Sequence, residues 1–372
     1  MYKTSLKFAE DWHDDNFEER LMGRQIVIGD ISPLLSELHS PFQLSAIGSS
    51  FEGRNIYKVS FGSGKIKILL WTQMHGNEST GTKAFFDLLK WFHDPGDLLE
   101  LRDELIAKLT IVTIPILNPD GAESYTRISA QGIDLNRDVL DRLAPESILL
   151  QDELQGLKPD YCFNLHDQRT IFSVGAPPKA ATISFLAPSE EKSRKVTEGR
   201  KKTMQVISAI YHDLKGRYAE HIGRYTDEFY PTATGDNFQK MGYPTILIES
   251  GHFPGDYERA VSRKLTFMSL LSGLIHVSRG DLSNDHSIYF EIPDNEKMYL
   301  DVIVKNVQLN GSRTDLGIVY KEEVAEGKVI FVPNLEKIEV LDAYGSDKII
   351  DGESLVFKSE RDAEKWIKIE FN

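Results

Sequence analysis

The chain has 372 residues, of which 41% are hydrophobic and 27% charged, a composition typical of a globular protein with room for two domains. Its formal net charge of −14 argues against binding to nucleic acid or to an anionic membrane, because phosphate recognition needs a basic surface. The single cysteine, Cys162, excludes an internal disulfide, and its apolar neighbours favour a buried, inert thiol.

Residues 1–40 predict an acidic, partly helical lead-in to the rest of the chain. Residues 1–15 contain no apolar stretch long enough for a secretion signal, and no apolar run of 18 residues occurs in the sequence. We therefore expect a cytoplasmic protein without a membrane-spanning segment.

Residues 41–282 predict an α/β domain. Short apolar runs indicate strands, and runs with apolar residues at helical spacing indicate helices. The expected strands are 43–48, 55–61, 66–71, 110–117, 160–165 and 243–248, and the expected helices are 79–93, 98–109, 189–217 and 258–279. Residues 225–238 lack a clear period and predict a loop.

The segment 66–81 predicts a buried strand, a turn and the start of a helix. His75 and Glu78 lie three residues apart in this turn, where the strand leaves the sheet. Ligand sites in open α/β sheets gather at the carboxyl ends of the strands. An imidazole and a carboxylate at such a place are two of the three protein ligands that a catalytic zinc needs.

Other polar residues follow the later strands. The turn 118–121 ends one strand, and Arg127 and the run 132–137 place two arginines and an amide on a polar loop. His166 and Glu249 each end a further apolar strand. Taken one by one, these residues also have ordinary explanations, namely a tight turn, solvated arginines, a hydrogen-bonding histidine and a structural ion pair.

Taken together and in this order, the motifs resemble those of the zinc metallocarboxypeptidase family over roughly residues 45 to 280. The resemblance implies a mixed central sheet with helices on both faces. It also implies one Zn²⁺ ion, with His75, Glu78 and His166 as its three protein ligands.

The resemblance further implies roles for the residues around the metal. Asp134 would hold a zinc-binding histidine by its second nitrogen. Arg127 would polarise the scissile carbonyl and stabilise the developing oxyanion, and Glu249 would be the general base. Asn136 and Arg137 would bind the terminal carboxylate of the substrate.

Two features of the family's mobile loop stay open in this sequence. Both Tyr230 and Tyr225 compete for the tyrosine that closes over the substrate, and we assign Tyr230 to substrate binding. Gly235 falls near the position that selects side chains and indicates no preference. Asp167 follows the last zinc ligand where digestive members carry a small residue, so the chain is more similar to the intracellular and bacterial branches.

A competing interpretation makes His252 a metal ligand together with Glu249. That interpretation leaves the pair at His75 and Glu78 unexplained.

The main functional hypothesis is a zinc metallocarboxypeptidase that hydrolyses the C-terminal peptide bond of a peptide through a zinc-activated water. The alternative is a zinc-dependent amidase or deacylase that acts on a small amino-acid conjugate or a peptidoglycan-derived conjugate. A third hypothesis is a metal-binding or interaction protein that has kept the fold and lost the reaction.

Residues 286–372 predict a small all-β domain. Its alternating segments include 287–292, 299–307 and 328–332, and Asn310-Gly311 and Gly345-Ser346 predict turns. We expect an interaction platform, a lid over the active site or a stability element.

Overall fold

The computed structural model describes residues 2–280 and 285–371. In the first part of the chain the helices are α1 (Tyr2–Asn16), α2 (Ile28–Ser36), α3 (Thr80–His93), α4 (Leu99–Lys108), α5 (Pro119–Glu123), α6 (Pro145–Leu157), α7 (Glu198–Tyr218), α8 (Thr234–Lys240) and α9 (Ala260–Arg279). The strands are β1 (Gln43–Ser49), β2 (Asn55–Phe61), β3 (Ile66–Trp71), β4 (Leu109–Ile114), β5 (Tyr161–Asp167), β6 (Ser173–Val174), β7 (Lys179–Ala180), β8 (Ile183–Leu186), β9 (Ile222–Arg224) and β10 (Thr245–Ser250).

The main sheet has eight strands in the order β1-β2-β4-β3-β5-β10-β8-β9. The pairs β4–β3, β3–β5, β5–β10 and β8–β9 are parallel, whereas β1–β2, β2–β4 and β10–β8 are antiparallel. The predicted mixed sheet is therefore confirmed. The carboxyl ends of β3, β5 and β10 meet at one edge, where their following residues can form a site.

Helices cover both faces of this sheet because successive strand residues point to opposite sides. On β3, Ile68 and Leu70 belong to the core under α1, α3, α7 and α9, while Leu69 and Trp71 belong to a second core under α6 and α8. The expected α/β fold with helices on both faces is confirmed. The lead-in helices α1 and α2 pack into the first of these cores.

Several element boundaries differ from the sequence prediction for identifiable reasons. Pro115 follows β4 directly, so the strand ends at Ile114 and does not reach residue 117. Helix α7 begins at Glu198 because the Thr197 hydroxyl accepts the N–H of Arg200, whereas the Ser189 hydroxyl donates to the carbonyl of Asp227.

Two further predictions are wrong in part. The loop prediction over 225–238 fails from Thr234 onward, where α8 begins. The strand prediction over 287–292 fails because His286–Glu291 forms a 3₁₀-helix. Its Tyr289 is fully buried, and its hydroxyl accepts the N–H of Ala187 beside the main sheet. The alternating pattern of this segment therefore comes from packing against another element.

A second sheet follows, with β11 (Tyr299–Leu309), β12 (Ser312–Ala325), β13 (Lys328–Glu339), β14 (Gly345–Asp351) and β15 (Val356–Phe357). Its order is β13-β12-β11-β14, and β15 pairs with β11. The predicted C-terminal β-sheet is confirmed, and helix α10 (Glu360–Glu370) is an addition to the all-β expectation. Ala363 and Ile367 of α10 pack into the core of this sheet.

The domain limits 1–40, 41–282 and 286–372 stay predictions, and the boundary falls on residues 281–284, outside the described residues. Among the described helices, none combines the length and the apolar character that crossing a lipid bilayer requires.

Candidate active site

Three neighbouring parallel strands bring the predicted metal ligands to one edge of the main sheet. His75 follows β3, and Glu78 precedes α3 by two residues. His166 lies near the end of β5, and Glu249 on β10 is its register partner. Because the order of these strands is β3-β5-β10, the side chains converge although up to 174 residues separate them along the chain.

The atoms of the three proposed ligands lie within hydrogen-bonding distance of one another. His75 Nδ1 is 2.8 Å from Glu78 Oε1, and His166 Nδ1 is 2.9 Å from Glu78 Oε2. The two Nδ1 atoms are 3.1 Å apart. All three side chains are buried. The structure therefore places two imidazoles and one carboxylate around a common point.

This donor set suits a divalent cation. The Asp134 carboxylate can only accept, so the His75 Nε2 that lies 3.1 Å from it carries the ring hydrogen and Nδ1 presents a lone pair. That lone pair faces the Glu78 carboxylate, an arrangement that is repulsive unless a proton or a cation lies between them. Burial opposes a proton on His75, but the charge of Glu78 and the hydrogen bonds with Asp134 and Glu78 raise the pKa of His75, so a proton can take the place of a cation there; burial lowers the pKa of His166. Two imidazoles and a carboxylate are a ligand set of catalytic zinc sites.

Asp134 connects three parts of the site. Its Oδ1 accepts from His75 Nε2 and from the backbone N–H of Asn136 at 2.9 Å, and its Oδ2 accepts from Arg127 Nε at 3.1 Å. Burial raises the pKa of Asp134, but the hydrogen bond with His75 and the charge of Arg127 outweigh burial and leave the pKa well below its usual range. The ionised carboxylate thus fixes the orientation of the His75 ring.

Arg127 lies beside the three proposed metal ligands, His75, Glu78 and His166. In addition to Asp134, it contacts Glu78, whose Oε1 accepts from Nη1 at 3.2 Å. Its side chain is 46% exposed. The guanidinium therefore stays in contact with the cleft while two carboxylates hold it in place.

Glu249 is half-buried, and among the described residues no protein donor is hydrogen-bonded to its carboxylate. Burial raises the pKa of Glu249 well above its ordinary value, and the negative charges of Glu78 and Asp167 raise it further. A carboxyl group in this environment binds a proton readily, which is the property of a general base near neutral pH.

A cleft of about 480 Å³ opens beside His75, Glu78 and His166. Asn136 and Arg137 line it from the 3₁₀-turn Leu135–Arg137. The Asn136 Oδ1 accepts from the backbone N–H of Thr234 at 3.1 Å, so the amide Nδ2 is available to donate into the cleft. The Arg137 guanidinium lies 5.3 Å from the ring centre of Tyr230.

The two candidate tyrosines occupy different parts of this cleft. Tyr230 is 43% exposed and lies against Arg137. Tyr225 is half-buried, and burial together with the charges of Glu249 and Glu78 raises its pKa. The structure therefore brings Tyr225 to the side of the cleft with Glu249 and Glu78, and Tyr230 to the side with Arg137. Gly235 lies in the wall of the cleft at the start of α8.

Several residues in and around the cleft were not predicted from the sequence. Arg259 lies at φ 58° and donates from its guanidinium to the carbonyls of Ser250 and Gln168, which joins the ends of β10 and β5. Arg169 and Lys297 line the active-site cleft, whereas Arg259 lies outside its lining. Arg169 directly follows the β5 segment, which was a usable signal, whereas Lys297 lies beyond the residues that carry the family motifs.

A second group of potential metal ligands comprises His252, Asp301 and Asp347. Asp347 accepts from His252 Nε2, from the Gly255 N–H and from the Tyr299 hydroxyl. Both Asp301 oxygens likewise accept from protein donors. The cluster is therefore satisfied without a cation. Because His252 Nε2 is engaged with Asp347, the competing interpretation of His252 as a zinc ligand beside Glu249 finds no support in the geometry.

Comparisons with known proteins agree with the motifs and with the fold. The family model described as zinc carboxypeptidase matches residues 34–173, which include seven of the nine predicted site residues. A probable carboxypeptidase 2 of Arthroderma benhamiae is 23% identical over 296 residues, 76% of this chain and 52% of that protein. A probable carboxypeptidase 2 of Trichophyton verrucosum is 28% identical over 211 residues, 56% of this chain and 37% of that protein. The chain thus spans about half or less of the length of these relatives.

Solved structures show the same fold at lower identity. A metallo-carboxypeptidase from Burkholderia cenocepacia is 18% identical with a TM-score of 0.53, over 67% of this chain and 68% of that chain. The carboxypeptidase A from Helicoverpa armigera is 14% identical with a TM-score of 0.52, over 76% of this chain and 80% of that chain. The match over residues 34–173 and the carboxypeptidase relatives thus make this chain similar to the zinc carboxypeptidases, and the solved structures show that it shares their fold.

Proposed function

We propose that this protein is a zinc-dependent metallocarboxypeptidase that hydrolyses the C-terminal peptide bond of a peptide. The observation that carries the proposal is the convergence of the His75, Glu78 and His166 donor atoms around one point, within 4.8 Å of one another. A cleft with a general base and a carboxylate-binding pair opens beside this point. These three residues would hold one Zn²⁺ ion.

When bound, zinc would supply a Lewis acid for the scissile carbonyl and would lower the pKa of the attacking water. Glu249 would accept the proton of that water and later deliver it to the nitrogen of the leaving amino acid. The absence of a protein hydrogen bond to its carboxylate, among the described residues, supports this role, because the oxygens are available to a water molecule.

Arg127 would stabilise the negative charge that develops on the carbonyl oxygen. Two carboxylates already orient its guanidinium through Nε and Nη1, so little reorganisation is needed when charge develops. The remaining guanidinium N–H groups are free to donate to the oxyanion. Asp134 would position both Arg127 and His75, and it would not contact the substrate.

Asn136 and Arg137 would bind the terminal carboxylate of the substrate. A guanidinium pairs with two carboxylate oxygens at once, and the free Asn136 Nδ2 adds a third donor. Tyr230 would lie over the bound residue, since its ring already contacts Arg137. This carboxylate clamp, Asn136 with Arg137, is the reason to prefer an exopeptidase to an endopeptidase.

The test is turnover of one peptide in two forms, with a free and with an amidated C-terminus, by the zinc-loaded protein. The clamp predicts that amidation abolishes turnover. Arg137→Gln should lower kcat/KM for the free form about 10- to 100-fold, since charged hydrogen bonds are lost. Arg142→Gln, at an exposed position of the same segment, is the control. Equal cleavage of both forms would refute the clamp.

A second substitution tests the assignment of the base. Glu249→Gln should keep zinc binding and reduce kcat by several orders of magnitude, because the amide cannot accept the proton. Unchanged activity of this variant would instead support the third hypothesis, a metal-binding or interaction protein that has kept the fold and lost the reaction.

A second candidate function is hydrolysis of a small amino-acid conjugate. The observation that favours it is a strand of the C-terminal sheet, β12, whose residues 319–322 form a wall of the space beside Glu78 and Arg127. Turnover of N-acyl amino acids without turnover of peptides would select this candidate.

A further inference from the structure

A second cleft, of about 410 Å³, lies between the main sheet and the C-terminal sheet. Its inner end includes Glu78 and Arg127, which also line the active-site cleft, and its outer wall is residues 319–322 of β12. Its lining includes no residue of the carboxylate clamp and not Glu249. The two clefts therefore share Glu78, Arg127 and residues 167–169, and beyond these the second is lined by β12, whereas the first is lined by Asn136, Arg137 and Glu249.

This arrangement indicates which cleft holds each of the two parts of the substrate. If the clamp holds the leaving amino acid in the first cleft, the acyl part of the substrate has to leave the metal cluster through the other opening. We name the second cleft the acyl-side cleft, and it is lined by Arg24, Asn77, Glu78, Arg127, residues 167–170, Arg259 and residues 319–322.

The wall that closes the acyl-side cleft is firmly attached to the main body. Glu322 of β12 forms an ion pair with Arg24 at 2.8 Å and accepts from the Tyr125 hydroxyl. The Tyr257 hydroxyl donates to Asp301 at 2.8 Å, and Asp301 also accepts the N–H of Tyr320 on β12. These contacts hold the segment 319–322 over the active site.

The acyl-side cleft is basic although the protein as a whole is strongly acidic. Five basic and three acidic side chains line it. Each acid is already paired: Glu78 with the histidines and Arg127, Asp167 with Thr80 and Arg259, and Glu322 with Arg24.

Arg169 and Lys321 are therefore the two basic side chains of this lining that its own three acids do not pair with. The Arg169 side chain is 57% exposed and forms an ion pair at 3.5 Å with Glu336, which lies outside the lining of the cleft, so a ligand carboxylate would share Arg169 with that pair. Lys321 is exposed, and among the described residues its ammonium has no protein partner. Arg169 lies on the main body and Lys321 on β12, so a ligand between them contacts both walls.

We propose that the acyl-side cleft binds a carboxylate on the acyl part of the substrate through Arg169 and Lys321. The preferred substrates then carry an acidic residue, or a dicarboxylic acyl group, before the scissile bond. This inference rests on the proposed hydrolase function and adds the class of substrate to it. The C-terminal sheet is a specificity element in this account.

The experiment uses the zinc-loaded full chain and three substrates with the same leaving residue: acetyl-glutamyl-alanine, acetyl-glutaminyl-alanine and succinyl-alanine. The protein should prefer the glutamyl to the glutaminyl substrate by tenfold or more in kcat/KM. Arg169→Gln/Lys321→Gln should reduce this ratio to about two or less. Arg361→Gln/Lys328→Gln, two exposed residues of the C-terminal sheet region, removes the same charge and should keep the preference.

The third substrate identifies the source of the carboxylate. A higher kcat/KM for succinyl-alanine than for the glutamyl substrate indicates a dicarboxylic acyl group, and the reverse order indicates an acidic residue. Equal turnover of the glutamyl and glutaminyl substrates by the unaltered protein would overturn the proposal. An equal loss on both in the Arg169→Gln/Lys321→Gln variant would also overturn it.

Binding of glutarate, measured by calorimetry, separates this inference from the proposed function. We expect about tenfold weaker binding in the Arg169→Gln/Lys321→Gln variant and little change in the Arg361→Gln/Lys328→Gln control. If no substrate is hydrolysed but glutarate binding depends on Arg169 and Lys321, the hydrolase proposal fails and the anion site stands. If the protein hydrolyses the glutamyl and glutaminyl substrates equally well, and glutarate binding is the same in the Arg169→Gln/Lys321→Gln variant, the anion site is rejected and the hydrolase proposal stands.

Discussion

Replacing Asp134 by asparagine should weaken zinc binding and catalysis together. The carboxylate accepts three hydrogen bonds, from His75 and the Asn136 backbone on one oxygen and from Arg127 on the other. An asparagine has one accepting oxygen and one NH₂ group. If it keeps the two bonds on the first oxygen, its NH₂ faces the Arg127 Nε–H, so a donor opposes a donor and the ion pair is lost.

The magnitude follows from the number of bonds affected. A hydrogen bond between charged groups contributes about 1.5–3 kcal/mol, so losing the Arg127 contact should reduce kcat/KM about 10- to 150-fold. The hydrogen bond to His75 loses the negative charge of its acceptor. Substitutions that affect the hydrogen-bond partners of metal ligands typically weaken metal binding about 10- to 100-fold, and we expect a value in this range.

The assay is competition for zinc with a chelator of known affinity, followed by kcat/KM for a peptide at saturating zinc. Asp141→Asn is the matched control, because Asp141 is an exposed carboxylate of the same segment and the charge change is identical. Zinc affinity and kcat/KM both within about twofold of the unaltered protein would refute the positioning role of Asp134.

Three further substitutions test the scaffold around the site. Gly76→Ala should weaken zinc binding in the same chelator assay, because a Cβ there would lie 1.9 Å from the backbone of Gly121 and the ligand-bearing turn would have to move; unchanged affinity would contradict this. Arg263→Met should lower the free energy of unfolding in urea by about 3–5 kcal/mol, since the buried Asp87 loses its two guanidinium bonds at 2.6 and 2.7 Å; a loss below 1 kcal/mol would contradict it. Burial lowers the pKa of Lys83 from 10.5 to about 7. Between these pH values the amine is protonated in the unfolded chain and neutral in the folded one, so Lys83 makes the free energy of unfolding rise by up to about 5 kcal/mol from pH 7 to pH 10.5. Lys83→Met should flatten that rise in urea titrations, and equal slopes would show that the Lys83 pKa is not depressed.

The central strands and their histidines were predictable because local and global signals agree there. Residues 68–71 of β3 are apolar and buried on both faces, so the strand pattern is strong, and a turn with His75 and Glu78 follows it. His166 also ends a buried apolar run, but its role as a metal ligand was predicted from the family resemblance. The alternation of strands and helices predicts parallel neighbouring strands. Parallel strands bring their carboxyl ends to one edge of the sheet, so the polar residues that follow them were expected to lie close together.

The remaining features depend on contacts between distant segments. Nothing in the sequence near Arg169 indicates that Lys321, 152 residues later, lies across the same cleft. The 3₁₀-helix at His286–Glu291 has strand-like alternation because Tyr289 is buried against the main body, and only the assembled fold reveals that surface. Helix α8 has seven residues, too few for a periodic pattern.

The same dependence explains why the function of the C-terminal sheet could not be chosen from the sequence. Its strands were visible as alternating segments, whereas the placement of β12 beside Glu78 follows from contacts between distant segments, such as the packing of Val319 with Ile171 and the polar pair of Arg24 with Glu322. Polar pairs of this kind leave no pattern in either segment.

The central claim is that one zinc ion binds between His75, Glu78 and His166. Anomalous scattering at the zinc absorption edge, from crystals of the protein grown with zinc, tests it most directly. We predict one fully occupied site, with Nδ1 of both histidines about 2.0–2.1 Å from the ion and a Glu78 oxygen at about 2.0–2.2 Å. An empty cluster at saturating zinc, or an ion held instead by His252, Asp301 and Asp347, would contradict the account.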